Sequence, residues 1–184
     1  KTTKREFGGA RSYEFSLFSE YASKVEAIDY SMEHLKKWMK PQRRGVSIWF
    51  AGASNKVLAQ PKGVVGVVAP WNYPLFLAAA DAIPALMAGN AVVLKPDHQT
   101  SLIALWAVDL MHRAGIPHRV MQVVLGFGPE IGPEITERAD YMMFTGSSAV
   151  GARIAGRCGE RLIGCSMELG GKNPMIVVDD VDPA

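Results

Sequence analysis

From Ser12 to Met39 the apolar residues Phe18, Tyr21, Val25, Ile28, Met32, Leu35 and Met39 recur at alternating steps of three and four. That spacing gathers them into one stripe and predicts a long helix lying on a globular body. Lys36, Lys37 and Lys40 collect at its end, where the negative pole of a helix favours cations, and Pro41 stops it. Next, Val46 to Phe50 and Lys56 to Gln60 are short β-prone runs separated by the turn residues Ala51-Gly52-Ala53-Ser54-Asn55, which predicts a hairpin. After Pro61-Lys62-Gly63, strand-like and helical patterns alternate. The strand-like runs are Val64 to Ala69, Ala91 to Lys95, Val120 to Leu125 and Tyr141 to Thr145. Helical patterns cover Leu75 to Met87, Ser101 to Ala114 and Ser148 to Cys158, with a shorter helix near Glu130 to Glu137. The strands are apolar throughout, as strands covered on both faces must be. The expected fold class is α/β: a parallel sheet with helices on both faces, preceded by a long helix and a hairpin.

Composition narrows this picture without redirecting it. The 184 residues hold 20 Lys or Arg against 18 Asp or Glu, a formal charge of +2, with 48% hydrophobic residues. That is a globular balance, with no excess charge to attract nucleic acid or an acidic membrane surface. The basic run Lys36 to Arg44 reads as a helix terminus and solvated linker, not a nucleic-acid patch. Leu75 to Leu94 is apolar enough to suggest a membrane span, but Asp81, Pro84, Gly89 and Asn90 interrupt it. A buried helix followed by a buried strand fits better. Two cysteines, Cys158 and Cys165, exclude a disulfide scaffold and suit a reducing compartment, so a cytoplasmic location is expected. Lys1 is followed by no basic-then-apolar leader, and Val181-Asp182-Pro183-Ala184 follows directly on an apolar run. The chain therefore reads as a piece of a longer protein.

Ligands of open α/β sheets bind beyond the carboxyl ends of the strands. There the sequence places Pro70-Trp71-Asn72-Tyr73-Pro74, Lys95-Pro96-Asp97-His98, Gly126-Phe127-Gly128-Pro129 and the run Gly146 to Gly151. Strand, glycine, serine, then helix makes Gly146 to Gly151 the best phosphate cradle, with free amides at the positive pole of a helix. Ala152-Arg153 stands where a Walker A loop needs Lys and Ser or Thr, and the third glycine after Gly126 and Gly128 comes one position late for a dinucleotide fingerprint. Either glycine run alone could be a tight turn; together they favour a dinucleotide. Lys95 ends a buried strand, where its charge calls for an anion, although it could also snorkel. Asn72 could cap the following helix or donate to a developing oxyanion. Glu168, leaving an apolar run before Gly170 and Gly171, could be a base or a surface residue of a glycine-rich turn. No metal ligand set is among the candidates.

Trp71-Asn72, Lys95-Pro96, Phe144-Thr145-Gly146-Ser147 and Glu168-Leu169-Gly170-Gly171-Lys172, in this order, resemble the aldehyde dehydrogenase superfamily. The resemblance implies a Rossmann-like NAD(P)-binding domain over 62–166, after an N-terminal helical part (1–45) and a hairpin oligomerisation arm (46–61). A catalytic domain would begin in 167–184. It implies cofactor contacts at Trp71, Lys95, His98, Gly128, Gly146, Ser147, Gly151 and Gly170. Asn72 would donate to the oxyanion of a thiohemiacetal, and Glu168 would activate the water that hydrolyses the thioester. The family reaction begins with a cysteine thiolate attacking the aldehyde and passes hydride to nicotinamide.

Two departures from the family pattern bear on function. The family nucleophile follows a Gly-Gln pair some tens of residues beyond Glu-Leu-Gly-Gly-Lys, past the end of this chain, and neither Cys158 nor Cys165 suits that role. These residues alone should then bind cofactor without turning over aldehyde. Members preferring NAD commonly carry Glu two residues after Lys-Pro, where this chain has His98; without that anion, NADP is accepted and favoured over NAD. As for substrate, His34 to Arg44 is similar to coniferyl-aldehyde-type members and Lys95 to Val178 to succinate-semialdehyde-type members. The helix after Asn72 has no basic residue, and Tyr73, Phe76 and Leu77 would form an apolar wall, which favours an apolar or aromatic aldehyde. The alternatives are succinate semialdehyde and a dinucleotide-binding module without redox activity. A homodimer or homotetramer is expected, since an unpaired hairpin recruits a partner.

Overall fold

A computed structural model describes residues 6–179 apart from Gly8 and Ala10. Parts of the expected N-terminal and catalytic segments, residues 1–5 and 180–184, lie outside the described residues.

The apolar stripe from Phe18 to Met39 does form a helix, but not a uniform one. α1 (Tyr13–Ser16) opens with Ser12 as its cap, passes into a π-helical turn (Leu17–Ala22), and continues as α2 (Ser23–Trp38). The π turn contains one buried residue, Glu20.

The hairpin is present in a different register. β1 (Gln42–Arg44) pairs antiparallel with β2 (Asn55–Val57), Arg43 opposite Lys56. Val46 to Phe50, expected as its first strand, instead carries a 3₁₀ turn (Ile48–Phe50) started by the Ser47 hydroxyl, which accepts from Trp49 N. A local serine turn competes with a ladder, and the β preference of Ile-Trp-Phe counts only where a face is available to pack against. Here Ile48 and Trp49 are 80% and 87% exposed.

The main sheet has five parallel strands in the order β5-β4-β3-β6-β7. They are β3 (Val64–Val68), β4 (Ala91–Lys95), β5 (Met121–Val123), β6 (Tyr141–Thr145) and β7 (Gly164–Glu168). Four match the predicted runs, β5 being shorter than Val120 to Leu125. β7, the strand leading to Glu168, extends the sheet by one. The crossovers are α3 (Pro74–Met87), α4 (Ser101–Arg113), α5 (Gly128–Arg138) and α6 (Ser148–Glu160).

Strand alternation divides the core into two layers. Val65, Val67, Val92, Leu94 and Met121 pack against Ala78, Ala82 and Ala85 of α3 and Ala104 and Val108 of α4. On the other face Met142 and Val93 meet Ile135 of α5, Ala139 just past its end and Cys158 of α6. The alanines let α3 and α4 lie close to the sheet. Lys95 shares a strand face with Val93 and so belongs to the α5/α6 side.

Candidate functional site

The chain leaves β3 at the centre of the sheet, builds β4 and β5 on one side, then crosses back to lay β6 and β7 on the other. This reversal is a switch point, and the loops diverging from β3 and β6 must leave a crevice beyond the strand ends. A cleft of about 730 Å³ occupies it. Of the predicted residues, Trp71, Lys95, His98, Gly128, Gly146 and Ser147 line this cleft.

The Gly146 to Gly151 run behaves as a cradle at its open end. Ser147 is the N-cap of α6, its hydroxyl makes no capping bond, and the helical ladder starts with Gly151 N donating to Ser147 O at 2.9 Å. The amides of Ser148, Ala149 and Val150 therefore have no acceptor within the helix and carry its positive pole. Gly151 itself is outside the wall. It is buried under Leu169, whose Cδ2 would clash with a Cβ placed there. Its part is close packing of helix against strand end.

Lys95 is 3% exposed, so it does not snorkel. Its ammonium donates to Pro96 O at 2.8 Å and forms no ion pair among the described residues. Burial lowers its pKa below the ordinary lysine range, partly opposed by Asp97. A buried cation resting on one carbonyl and lining a cleft suits an anionic or hydroxyl-rich ligand. His98 packs against Phe127, ring centroids 5.0 Å apart, and its Nδ1 lies 3.4 Å from the Asp97 carboxylate. That carboxylate also accepts from Gln99 N at 2.9 Å, starting the turn that presents His98.

Asn72 and Glu168 lie outside the cleft wall but at the same edge of the sheet. Asn72 follows β3; Glu168 ends β7 and pairs in register with Thr145 at the end of β6, the strand between them. Glu168 O accepts from Gly146 N at 3.0 Å, tying the carboxylate's strand to the loop that opens α6. Gly170 lies near the start of α6, its Cβ position 4.0 Å from Ser148 Oγ. Asn72 does not cap α3. The cap position is Tyr73, without a side-chain bond, and the first amides of α3 go to Glu20. The Asn72 amide group is exposed and hydrogen-bonds no described residue.

A match to the aldehyde dehydrogenase family model runs over residues 5–184. The chain belongs to the aldehyde dehydrogenase family. It is 60% identical over 121 residues to a Mycobacterium tuberculosis protein named "Putative succinate-semialdehyde dehydrogenase [NADP(+)] 2", an alignment over 66% of this chain and 23% of that one. It is 40% identical over 173 residues to the "Probable coniferyl aldehyde dehydrogenase" of Pseudomonas aeruginosa, covering 94% of this chain and 36% of that one. A Bacillus cereus aldehyde dehydrogenase in complex with NAD+ superposes with a TM-score of 0.82 at 35% identity, over 94% of this chain and 35% of that chain. The NADP-dependent glyceraldehyde-3-phosphate dehydrogenase of Bacillus halodurans, complexed with NADP, does so at 0.76 and 36%, over 89% and 35%. The chain thus spans between about a quarter and a little over a third of the length of these proteins.

Other residues come to the cleft or to the Asn72 turn through the fold. Val150 and Arg153 line the cleft only because α6 starts at Ser148, and Pro129 because α5 starts at Gly128. Glu20 and Arg11 are joined to the Asn72 turn by tertiary contacts alone. Cys158 is buried, and burial together with its neighbour Cys165 raises its thiol to about 11. Such a thiol is protonated at neutral pH and inert. Among the described residues no cluster of three or more His, Cys, Asp or Glu could hold a metal ion, and no helix is long and apolar enough to cross a membrane.

Proposed function

We propose that residues 62–166 bind the coenzyme of an NAD(P)+-dependent aldehyde dehydrogenase oxidising an aldehyde to a carboxylate, with NADP+ favoured. The observation that carries this reading is the switch-point cleft, lined by Trp71, Lys95, His98, Gly146 and Ser147. The open amides of α6 suit a diphosphate, and the buried Lys95 ammonium suits ribose hydroxyls or a 2′-phosphate. The bound coenzyme would supply the hydride acceptor. Asn72 would donate its free amide to an oxyanion, and Glu168 would activate water for deacylation. Residues 167–184 would begin the catalytic domain. These 184 residues alone should show no turnover, since neither Cys158 nor Cys165 lines the cleft and the Cys158 thiol is buried.

The aldehyde we favour is apolar or aromatic. Two cations approach α3 from the N-terminal segment, yet both are engaged: Arg11, just before the α1 cap, by Glu20, and Lys24 of α2 by the Phe76 ring at 4.0 Å. Neither is free for a distal carboxylate. The 60% identity to the mycobacterial relative favours a second reading, succinate semialdehyde. The β1–β2 arm, with exposed Trp49 and Phe50, suits a dimer or tetramer interface.

Titration calorimetry and initial rates on the full-length protein test this. NADP+ should bind, with a lower KM than NAD+. At least tenfold preference for NAD+ defeats the coenzyme assignment, and no heat with either defeats the reading. Faster turnover of succinate semialdehyde than of benzaldehyde or coniferaldehyde reverses the substrate order.

A further inference from the structure

Two side chains outside the cleft tie the turn carrying Asn72 to the N-terminal helix. Glu20 is 2% exposed, in the π turn. One of its carboxylate oxygens accepts from Arg11 Nη1 at 2.7 Å; the other accepts from Leu75 N at 2.7 Å and Phe76 N at 3.2 Å. Arg11 Nη2 donates to the backbone carbonyl of Asn72 itself at 2.5 Å. The guanidinium is fixed in turn by the rings of Phe7, Phe15 and Tyr73, with centroids 4.1, 5.3 and 5.1 Å away. Hydrogen bonds thus close a loop around residues 72–76. They hold the backbone at both ends and leave the Asn72 amide group free.

Stability is a weak reason for such an arrangement. A carboxylate taken out of water is costly, and a buried ion pair often contributes no more than an apolar pair of the same volume. What it supplies is geometry. The π turn interrupts the helix at the residue that must reach α3, and such interruptions recur at functional sites. An oxyanion donor has to sit within a fraction of an ångström of its productive position. The exposed Asn72 side chain hydrogen-bonds no described residue that would hold it there.

We propose that Arg11 and Glu20 are positioning residues for Asn72, fixing its backbone so that its amide meets the developing oxyanion. The inference rests on the reading of Asn72 as oxyanion donor. The test is a double-mutant cycle in the full-length protein with benzaldehyde and NADP+, using Arg11→Met, Glu20→Gln and Asn72→Ala. Arg11→Met and Glu20→Gln should each lower kcat by about 10- to 100-fold, the loss expected of a misplaced group. Coenzyme Kd should stay within about twofold, because the residues that the clamp holds (Asn72, Tyr73, Leu75 and Phe76) do not line the cleft. In the Asn72→Ala background Arg11→Met should add less than about a twofold loss, because the two act as a unit. A full additional loss there, or unchanged kcat in the single variants, overturns the proposal. If Asn72→Ala itself keeps its kcat, the oxyanion reading has failed and the clamp has nothing to position. Arg11→Lys keeps the charge but cannot fork between Glu20 and Asn72 O. Should Arg11→Met not fold, Arg11→Lys with a native melting temperature decides: reduced kcat supports the clamp, full kcat overturns it.

Discussion

Charged side chains in half-buried positions set the character of the site residue by residue. Lys95 is dry, held by one carbonyl, and lowered in pKa by burial, which makes it the poorly solvated cation that the proposed coenzyme site calls for. Asp81 on α3 is its counterpart in sign. Burial raises its pKa, Glu168 adds to the rise, and Lys24 opposes it. A carboxyl raised in the folded state holds its proton longer than in the unfolded chain. Stability therefore falls as pH rises from the unfolded carboxylate value through the folded one. Asp81→Asn should remove that slope, so that the variant gains on the parent between about pH 4 and pH 7. Denaturant unfolding at both ends of the range measures it; a constant difference would mean that Asp81 titrates normally.

At the scale of elements, the helices are fixed at their starts by groups from elsewhere in the chain. Glu6 accepts from Leu102 N at 2.6 Å at the start of α4, as Glu20 does at the start of α3. Carboxylates there meet both orphan amides and the positive pole. Neither α3 nor α4 has a side-chain cap of its own, so local reading could place these helices without finding what closes them. Periodicity gave α3, α4, α6, β4 and β6 to within a residue or two, because each buries a face whose spacing is written in the chain. It failed at Val46 to Phe50, which has no face to bury. On the other side of the sheet, Gly66 lets α5 approach β3. A Cβ there would lie 2.5 Å from Met142 Sδ and 2.6 Å from Ile135 Cγ2. Gly66→Ala should cost about 1–3 kcal/mol as overpacking, read as a lower melting temperature. An unchanged melting temperature would show that α5 is free to shift.

For the whole molecule, the arm and the sheet divide the work. The sheet's switch point concentrates the cleft at one edge, while β1 and β2 stand exposed along their lengths. A two-stranded ribbon tipped by Trp49 and Phe50 is a poor structure in isolation and a good one when paired with another chain. Trp49→Glu in the full-length protein should shift the proposed dimer or tetramer to smaller species by size-exclusion chromatography with light scattering. An unaltered mass would remove the arm from the interface.

The sequence by itself determined the α/β class, the positions of most crossovers and the glycine-serine cradle, because helix and strand periods and strand-end residues are local properties. Trp71, Lys95, His98, Gly128, Gly146 and Ser147 were readable as candidates because they follow strands, and strand ends of parallel sheets converge. Only the tertiary structure decided that Lys95 is buried, that Gly151 packs under Leu169, and that a glutamate some fifty residues upstream closes the helix after Asn72. Those outcomes depend on which surfaces meet once the chain is folded. A hydrogen bond between residues far apart in sequence leaves no period to read.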